Sequence, residues 1–127
     1  MDVRSEARET LDEITGQVEA EVLNGNRQDV RLSWEVVGER PAGGLPVEHP
    51  IVRLAARCLE EHGVRTVSNI GSTDANLPLS RGLPAVCIGL TTGGGAHTPE
   101  EFIHTQPLEL GLAALVQLVE SVFRSDF

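Results

Sequence analysis

A chain of 127 residues, 40% hydrophobic and 23% charged, has the size and balance of one globular domain rather than of a disordered segment. Acidic residues outnumber basic ones 19 to 10, and the net charge of −9 argues against non-specific binding to nucleic acid or to an anionic membrane. All ten basic residues are arginine, so the Walker phosphate loop, Schiff-base chemistry and lysine general bases are excluded, and four aromatic residues without a tyrosine offer no stacking platform for single strands.

Residues 1–4 read as a possible short strand, and Ser5 as an N-cap. No signal-peptide character follows Met1, and no apolar run approaches the ~18 residues of a membrane span, so a cytoplasmic protein is expected. Ala7, Leu11, Ile14, Val18 and Val22 recur at helical spacing and predict a helix over 6–23, stopped by Asn24-Gly25. Residues 29–37 alternate, with Val30, Leu32, Trp34 and Val36 on one side, as a half-buried strand does. The breaker-rich run from Gly38 to Pro46 reads as a hinge. Pro50 sits where a helix should open, with Val52, Ala55, Ala56 and Leu59 as its buried face and Gly63 as its end.

A strand near 64–70 leads into the polar loop 71–76, and a short helix or turn follows to about Gly82. Pro84 to Leu90 reads as a strand buried on both faces. After the glycine-rich loop 91–97, Thr98-Pro99-Glu100-Glu101 matches a capping box with proline at the first helical position. A last helix is predicted over 107–124, with Leu108, Leu112, Leu115, Val116, Val119, Val122 and Phe123 along one stripe. Cys58 and Cys87 both fall in apolar segments and read as two buried free thiols. The alternation of helices and strands is that of an α/β fold.

Two loops, 71–76 and 91–97, follow predicted strands, and on a parallel sheet both would lie at the carboxyl edge where ligands bind. The competing reading is of two ordinary surface connections. His97 could ligate a metal, act as a base or cap a helix. His97, Glu100, Glu101 and His104 have tempting spacing, but Thr98 and Pro99 place His97 outside any helix they start, so no local four-ligand site is expected. Arg40, in the hinge, reads either as a bidentate anchor for a substrate carboxylate or as a solvated loop arginine. His49 and His62 flank a helix and are expected at its solvated ends, and Glu60-Glu61 on its exposed side. Nucleotide binding at the triple glycine is disfavoured by the missing lysine and the incomplete glycine fingerprint.

The motifs Asp2-Val3-Arg4-Ser5, Gly38-Glu39-Arg40-Pro41-Ala42-Gly43, His49-Pro50, Ser72-Thr73-Asp74-Ala75-Asn76, Gly82-Leu83-Pro84-Ala85-Val86 and Gly93-Gly94-Gly95-Ala96-His97-Thr98-Pro99-Glu100-Glu101 come in a familiar order. Together they resemble the zinc-dependent peptidases and deacylases of peptidase family M20, among them peptidase T, carboxypeptidase G, acetylornithine deacetylase and succinyl-diaminopimelate desuccinylase. The resemblance runs along nearly the whole chain and corresponds to the C-terminal third of such an enzyme. It implies the closing part of a catalytic α/β domain over 48–127, a hinge over 38–47, and half of a ferredoxin-like lid or dimerisation domain over 1–37. In the complete enzyme a zinc-activated water would attack an amide of a peptide or N-acyl amino acid. By the same resemblance His97 is a metal ligand and Arg40 grips a substrate carboxylate. Ser72, Thr73, Asp74, Asn76, Gly93, Gly94 and Gly95 then line the substrate cleft.

The family's His-x-Asp motif, bridging aspartate and glutamate pair all precede the region present. None of His49, His62, His97 or His104 is followed two residues later by Asp, and Glu60-Glu61 comes after the lid instead of before it. The expectation is therefore a partial zinc site or none, no catalytic residue, and no peptidase activity by this chain alone. The alternative is a non-catalytic module that dimerises and binds a small carboxylate or anion. Half a ferredoxin-like unit would leave strand edges bare, so a homo-oligomer is expected in either case.

Overall fold

The computed structural model describes residues 1–124, so the last three residues of the segment expected to close the catalytic domain lie outside the described residues. The chain forms α1 (Arg8–Asn24), α2 (Pro50–Glu61), α3 (Asn76–Ser80), β1 (Gly93–Gly94), β2 (Phe102–Ile103) and α4 (Leu108–Arg124). It divides into two units, Met1–Gly44 with Ile70–Leu83, and Leu45–Asn69 with Pro84–Phe127. None of the described helices is long and apolar enough to cross a membrane.

In the first unit α1 keeps the predicted stripe from Leu11 onward, with Leu11, Ile14, Val18 and Val22 half-buried, while Ala7 is exposed before the helix. Ser5 is not the N-cap. That position is Ala7, and the Ser5 hydroxyl instead accepts from the Ala7 amide at 3.2 Å. The helix stops at Asn24 because Asn26 turns its side chain back, donating to the carbonyls of Val22 at 3.4 Å and Leu23 at 3.1 Å. The Asn26 Oδ1 in turn accepts from Leu32 N at 2.8 Å, which ties the following segment back to the helix end. The strand expected over 29–37 is not made. Its one ladder contact is an isolated antiparallel bridge between Arg27 and Val30, and Val36 and Val37 are exposed. Alternation gives a segment one apolar face, but a ladder also needs a neighbouring backbone. Residues 1–4 likewise make no strand.

In the second unit α2 opens as predicted, with Pro50 at its first position and the His49 imidazole accepting from Ile51 N at 3.3 Å. His49 and His62 are both half-buried, in contrast to the solvated ends expected for them. The helix closes in a Schellman motif, with Gly63 N to Glu60 O and Val64 N to Leu59 O both 2.9 Å. Gly63, at φ 76°, supplies the left-handed residue this closure requires. Gly82, at φ 72°, closes α3 in the first unit the same way.

The buried face of α2 is Leu54, Ala55 and Cys58, with Val52, Ala56 and Leu59 only half-buried. It packs on Leu118 of α4, with Val86, Ile88 and Val122 against the cluster. On α4 the buried residues are Gly111, Ala114 and Leu118, while Leu112, Val116, Val119 and Phe123 of the predicted stripe are exposed. This helix is apolar around most of its circumference, so periodicity alone does not choose the buried side. Small residues choose it, because Gly111 lets the chain at Leu90 come close. A Cβ there would lie 2.6 Å from the Leu90 carbonyl carbon and 2.7 Å from its Cα.

Residues 84–90 form no ladder, and burial alternates from Val86 to Leu90 instead of covering both faces. Cys87 is consequently exposed while Cys58 is buried, so only one of the two expected buried thiols is buried. The segment 64–70 also lacks a partner strand, with Val67 and Ile70 exposed. The accessible surface is 10083 Å². Two compact bodies of these sizes, each standing alone, would expose about 7,900 Å². The helices are formed, and among the described residues the sheet is confined to the pair β1 and β2, a mixture of helix and strand compatible with the α/β class.

Candidate functional site

The site residues read from the sequence fall in both units. In the first, residues 40–43 of the hinge lie along residues 72–80. The Asn76 side chain joins the two segments: its Oδ1 accepts from Thr73 N at 2.7 Å and its Nδ2 donates to the Pro41 carbonyl at 3.2 Å. The Thr73 hydroxyl accepts from Ala75 N at 3.3 Å, which tightens the loop into a turn. Gly43 passes close to α3, where a Cβ would lie 2.7 Å from the Leu79 carbonyl carbon. This approach holds the hinge in register with the loop.

Arg40 is brought onto that loop. Its Nη1 donates to Ser72 Oγ at 3.2 Å and its Nη2 to Asp74 Oδ1 at 3.4 Å. Asp74 is fully exposed and the Arg40 side chain is 47% exposed. The structure thus brings Arg40, Ser72, Thr73, Asp74 and Asn76 into one cluster, although the arginine lies 34 residues from the aspartate in sequence. Asn76, as the clasp, and Gly43, as the point of close approach, are the residues whose roles spacing alone does not reveal. The asparagine and the double glycine 43–44 were the available signals.

In the second unit Gly93 and Gly94 form β1 and pair antiparallel with Ile103 and Phe102 of β2. The capping box therefore opens no helix. The chain turns back on itself between the strands, and the groups that would cap a helix serve the turn. Thr98 donates to the Gly95 carbonyl through its amide at 3.0 Å and its hydroxyl at 2.7 Å. The Glu101 carboxylate accepts from His97 N at 3.2 Å. His104 N closes the hairpin on the Thr92 carbonyl at 2.8 Å, and the Thr91 hydroxyl donates to the His104 carbonyl.

His97 sits at the tip of this hairpin, exposed, with φ 65°. Among the described residues it is the one non-glycine with positive φ. A left-handed conformation is uncommon outside glycine and concentrates at functional sites. Two features accompany it: Gly95, two residues earlier, at φ 67°, and the Glu101 carboxylate accepting from its amide. No described side chain hydrogen-bonds its imidazole. His104 stacks edge-on against Phe102, with ring centroids 5.3 Å apart. No group of three or more His, Cys, Asp or Glu among the described residues is placed to hold a metal ion.

Away from these loops, α2 and α4 enclose a groove of about 350 Å³ lined by Leu54, Arg57, Cys58, Glu61, Gln117, Ser121 and Arg124. Burial, with the negative charge of Glu61 added, raises the Cys58 thiol above its ordinary pKa and keeps it protonated. A protonated buried thiol is a packing group rather than a nucleophile. Across this junction His62 Nε2 lies 2.8 Å from Gln117 Oε1, and Gln117 Nε2 donates to Glu61.

Residues 6–121 match peptidase family M20/M25/M40. The chain belongs to that family. The match takes in the Arg40 loop cluster and the whole His97 hairpin, so the residues with the most constrained local geometry lie inside the family's pattern. It makes a metallohydrolase-type family the setting for this chain. Searches of curated proteins and of solved structures found no match.

Proposed function

We propose that this chain is the C-terminal portion of a zinc-dependent metallohydrolase acting on amide bonds of peptides or N-acyl amino acids, and that it is inactive by itself. His97 carries the reading: an exposed imidazole, without a described hydrogen-bond partner, is held in a left-handed backbone conformation inside the family match. The family is generally zinc-dependent. One imidazole does not fit a zinc centre of about three protein ligands, and the described residues place no such set together. The remaining ligands and the general base therefore belong to a preceding portion. Within this chain, Arg40 presents its guanidinium to a substrate carboxylate and the 72–76 loop holds it there. The backbone of Gly93–Gly95, without side chains, leaves room for a substrate chain to lie close. In this assignment residues 1–37 are part of a lid domain, 38–47 the hinge, and 48–127 part of the catalytic domain, in a cytoplasmic setting.

The test is the longer protein. With the N-terminal portion supplied, His97→Ala is compared with the parent for bound zinc and for hydrolysis of an N-acyl amino acid. Loss of both is the expected result. Unchanged zinc content and unchanged hydrolysis overturn the assignment.

A second reading, a non-catalytic module that dimerises, is favoured by one specific observation. Leu112, Val116, Val119 and Phe123 form a continuous exposed stripe on α4, an apolar face of the kind that protein contacts cover. This reading expects a folded, metal-free dimer. A monomer in sedimentation at micromolar concentration would refute it.

A further inference from the structure

The two terminal nitrogens of Arg40 each meet one acceptor, Ser72 Oγ at Nη1 and Asp74 Oδ1 at Nη2. A bidentate carboxylate places its two oxygens on a guanidinium in the same way, one per nitrogen. The loop has therefore assembled, from a hydroxyl and half a carboxylate, an imitation of the ligand that Arg40 is suited to hold. We propose that Asp74 is an internal carboxylate that occupies the Arg40 fork and is displaced by an incoming carboxylate, while Ser72 and Asn76 keep the arginine in place. The proposal rests on the reading of Arg40 as a carboxylate anchor and adds what occupies the fork before a ligand arrives.

Three features make Asp74 the displaceable partner. A structural clamp would be short, bidentate and buried. Here the contact is 3.4 Å, runs from one nitrogen to one oxygen, and is made by a fully exposed aspartate. The loop itself does not depend on it, because Asn76 fastens the two segments through Thr73 N and the Pro41 carbonyl. Of the five guanidinium N–H donors, only two are engaged, so an arriving carboxylate can seat on a remaining edge before Asp74 leaves. A ligand with one weak acceptor would gain too little to displace the aspartate, whereas a carboxylate replaces a long single contact with two shorter charge-assisted bonds. Asp74 thereby sets a threshold that a carboxylate clears and a neutral group, such as the amide of a blocked C-terminus, does not.

The experiment is a titration of the full chain with N-acetyl-L-alanine at fixed ionic strength, read by NMR at the Arg40 Nε–H resonance. N-acetyl-L-alanine amide is the neutral control, and the variants are Asp74→Asn and Arg40→Ala. Asp74→Asn is isosteric and leaves the Asn76 clasp untouched, so the backbone amide spectrum should keep its dispersion. Its Arg40 resonance should shift before any ligand is added, and it should bind the carboxylate about two- to five-fold more tightly, the range an exposed ion pair commands. The amide should bind neither protein measurably. A shifted Arg40 resonance with unchanged or weaker carboxylate binding overturns the internal-ligand role and leaves Arg40 as the anchor. Binding that survives Arg40→Ala, or no binding by either the parent or Asp74→Asn, overturns the anchor itself and the proposal with it.

Discussion

Replacing Gly111 with alanine should destabilise the second unit, and the same replacement at Gly16 should stabilise the first. Both glycines lie inside 17-residue helices, Gly111 in α4 and Gly16 in α1. In each, the alanine methyl removes the cost of glycine in a helix interior, about 1 kcal/mol. The surroundings differ. Around Gly16 a Cβ meets nothing within 4 Å, so the gain stands at about 0.5–1 kcal/mol. At Gly111 it would run into the carbonyl of Leu90, with that residue's carbonyl carbon at 2.6 Å and Cα at 2.7 Å. Backbone cannot rotate away as a side-chain tip can. Residues 84–90 must retreat, taking Val86 and Ile88 from their contact with Leu54, Cys58 and Leu118. Overpacking of this kind costs about 1–3 kcal/mol and the lost contacts add to it, so a net loss of about 2 kcal/mol remains after the helical gain. Native-state hydrogen exchange, read on peptides from α1 and α4 across a urea series, follows each helix separately. Protection of α4 in Gly111→Ala equal to or above that of the parent would refute the packing argument, because propensity alone would then decide both sites.

Two further predictions concern α2. His49→Ala should cost about 1 kcal/mol, since the imidazole acceptor on Ile51 N is lost, and His49→Asp should recover most of it. The check is a urea midpoint by circular dichroism, and an aspartate variant no better than alanine would contradict the cap. Native alkylation should modify exposed Cys87 first and spare Cys58 until the chain unfolds, with mass spectrometry reporting the order. The raised Cys58 pKa also sets a sign with pH: its contribution is fully present below the ordinary thiol range and is lost as pH rises through the folded value, because the unfolded thiol ionises first. Stability of the parent should therefore fall more steeply than that of Cys58→Ala between about pH 7 and about pH 10. Equal slopes would remove burial as the cause.

The helices were legible because their signals are local. Proline at the first position of α2, Gly63 past its end, and the breaks at Asn24-Gly25 and after α3 each act within a few residues, and each marks a real boundary to within a residue or two. Which side of a helix is buried was less legible. On α2 the sequence pointed to Val52, Ala55, Ala56 and Leu59; Ala55 is buried, but the residues buried beside it are Leu54 and Cys58. The capping-box signature at residues 98–101 was misleading for a related reason. Thr98 and Glu101 satisfy amide and carbonyl groups in a hairpin as readily as in a helix, and the pairing of Gly93–Gly94 with Phe102–Ile103 decides between them. The candidate site divides the same way. The types of Arg40, Ser72, Asp74 and Asn76 were visible in sequence, but their meeting depends on an asparagine side chain linking Thr73 to Pro41.

Beside residues 1–4, three longer segments expected as strands, 29–37, 64–70 and 84–90, form no strand. Their sequences meet the local requirement for a strand, apolar residues at alternate positions or in a short run. The missing requirement is non-local, a backbone alongside to exchange hydrogen bonds with. Exposure follows from that: Val36, Val37, Val67 and Ile70 stand in solvent, and the accessible surface exceeds what two separate compact bodies would show. Apolar side chains at alternate positions on an unladdered segment are costly to leave in water, at roughly 25 cal/mol per Å². Covering them would recover that cost. Both proposed readings supply such a cover, one from a preceding portion of the same polypeptide and the other from a second copy. The two differ in where the covering backbone comes from, which is why oligomeric state and zinc content, measured together, separate them.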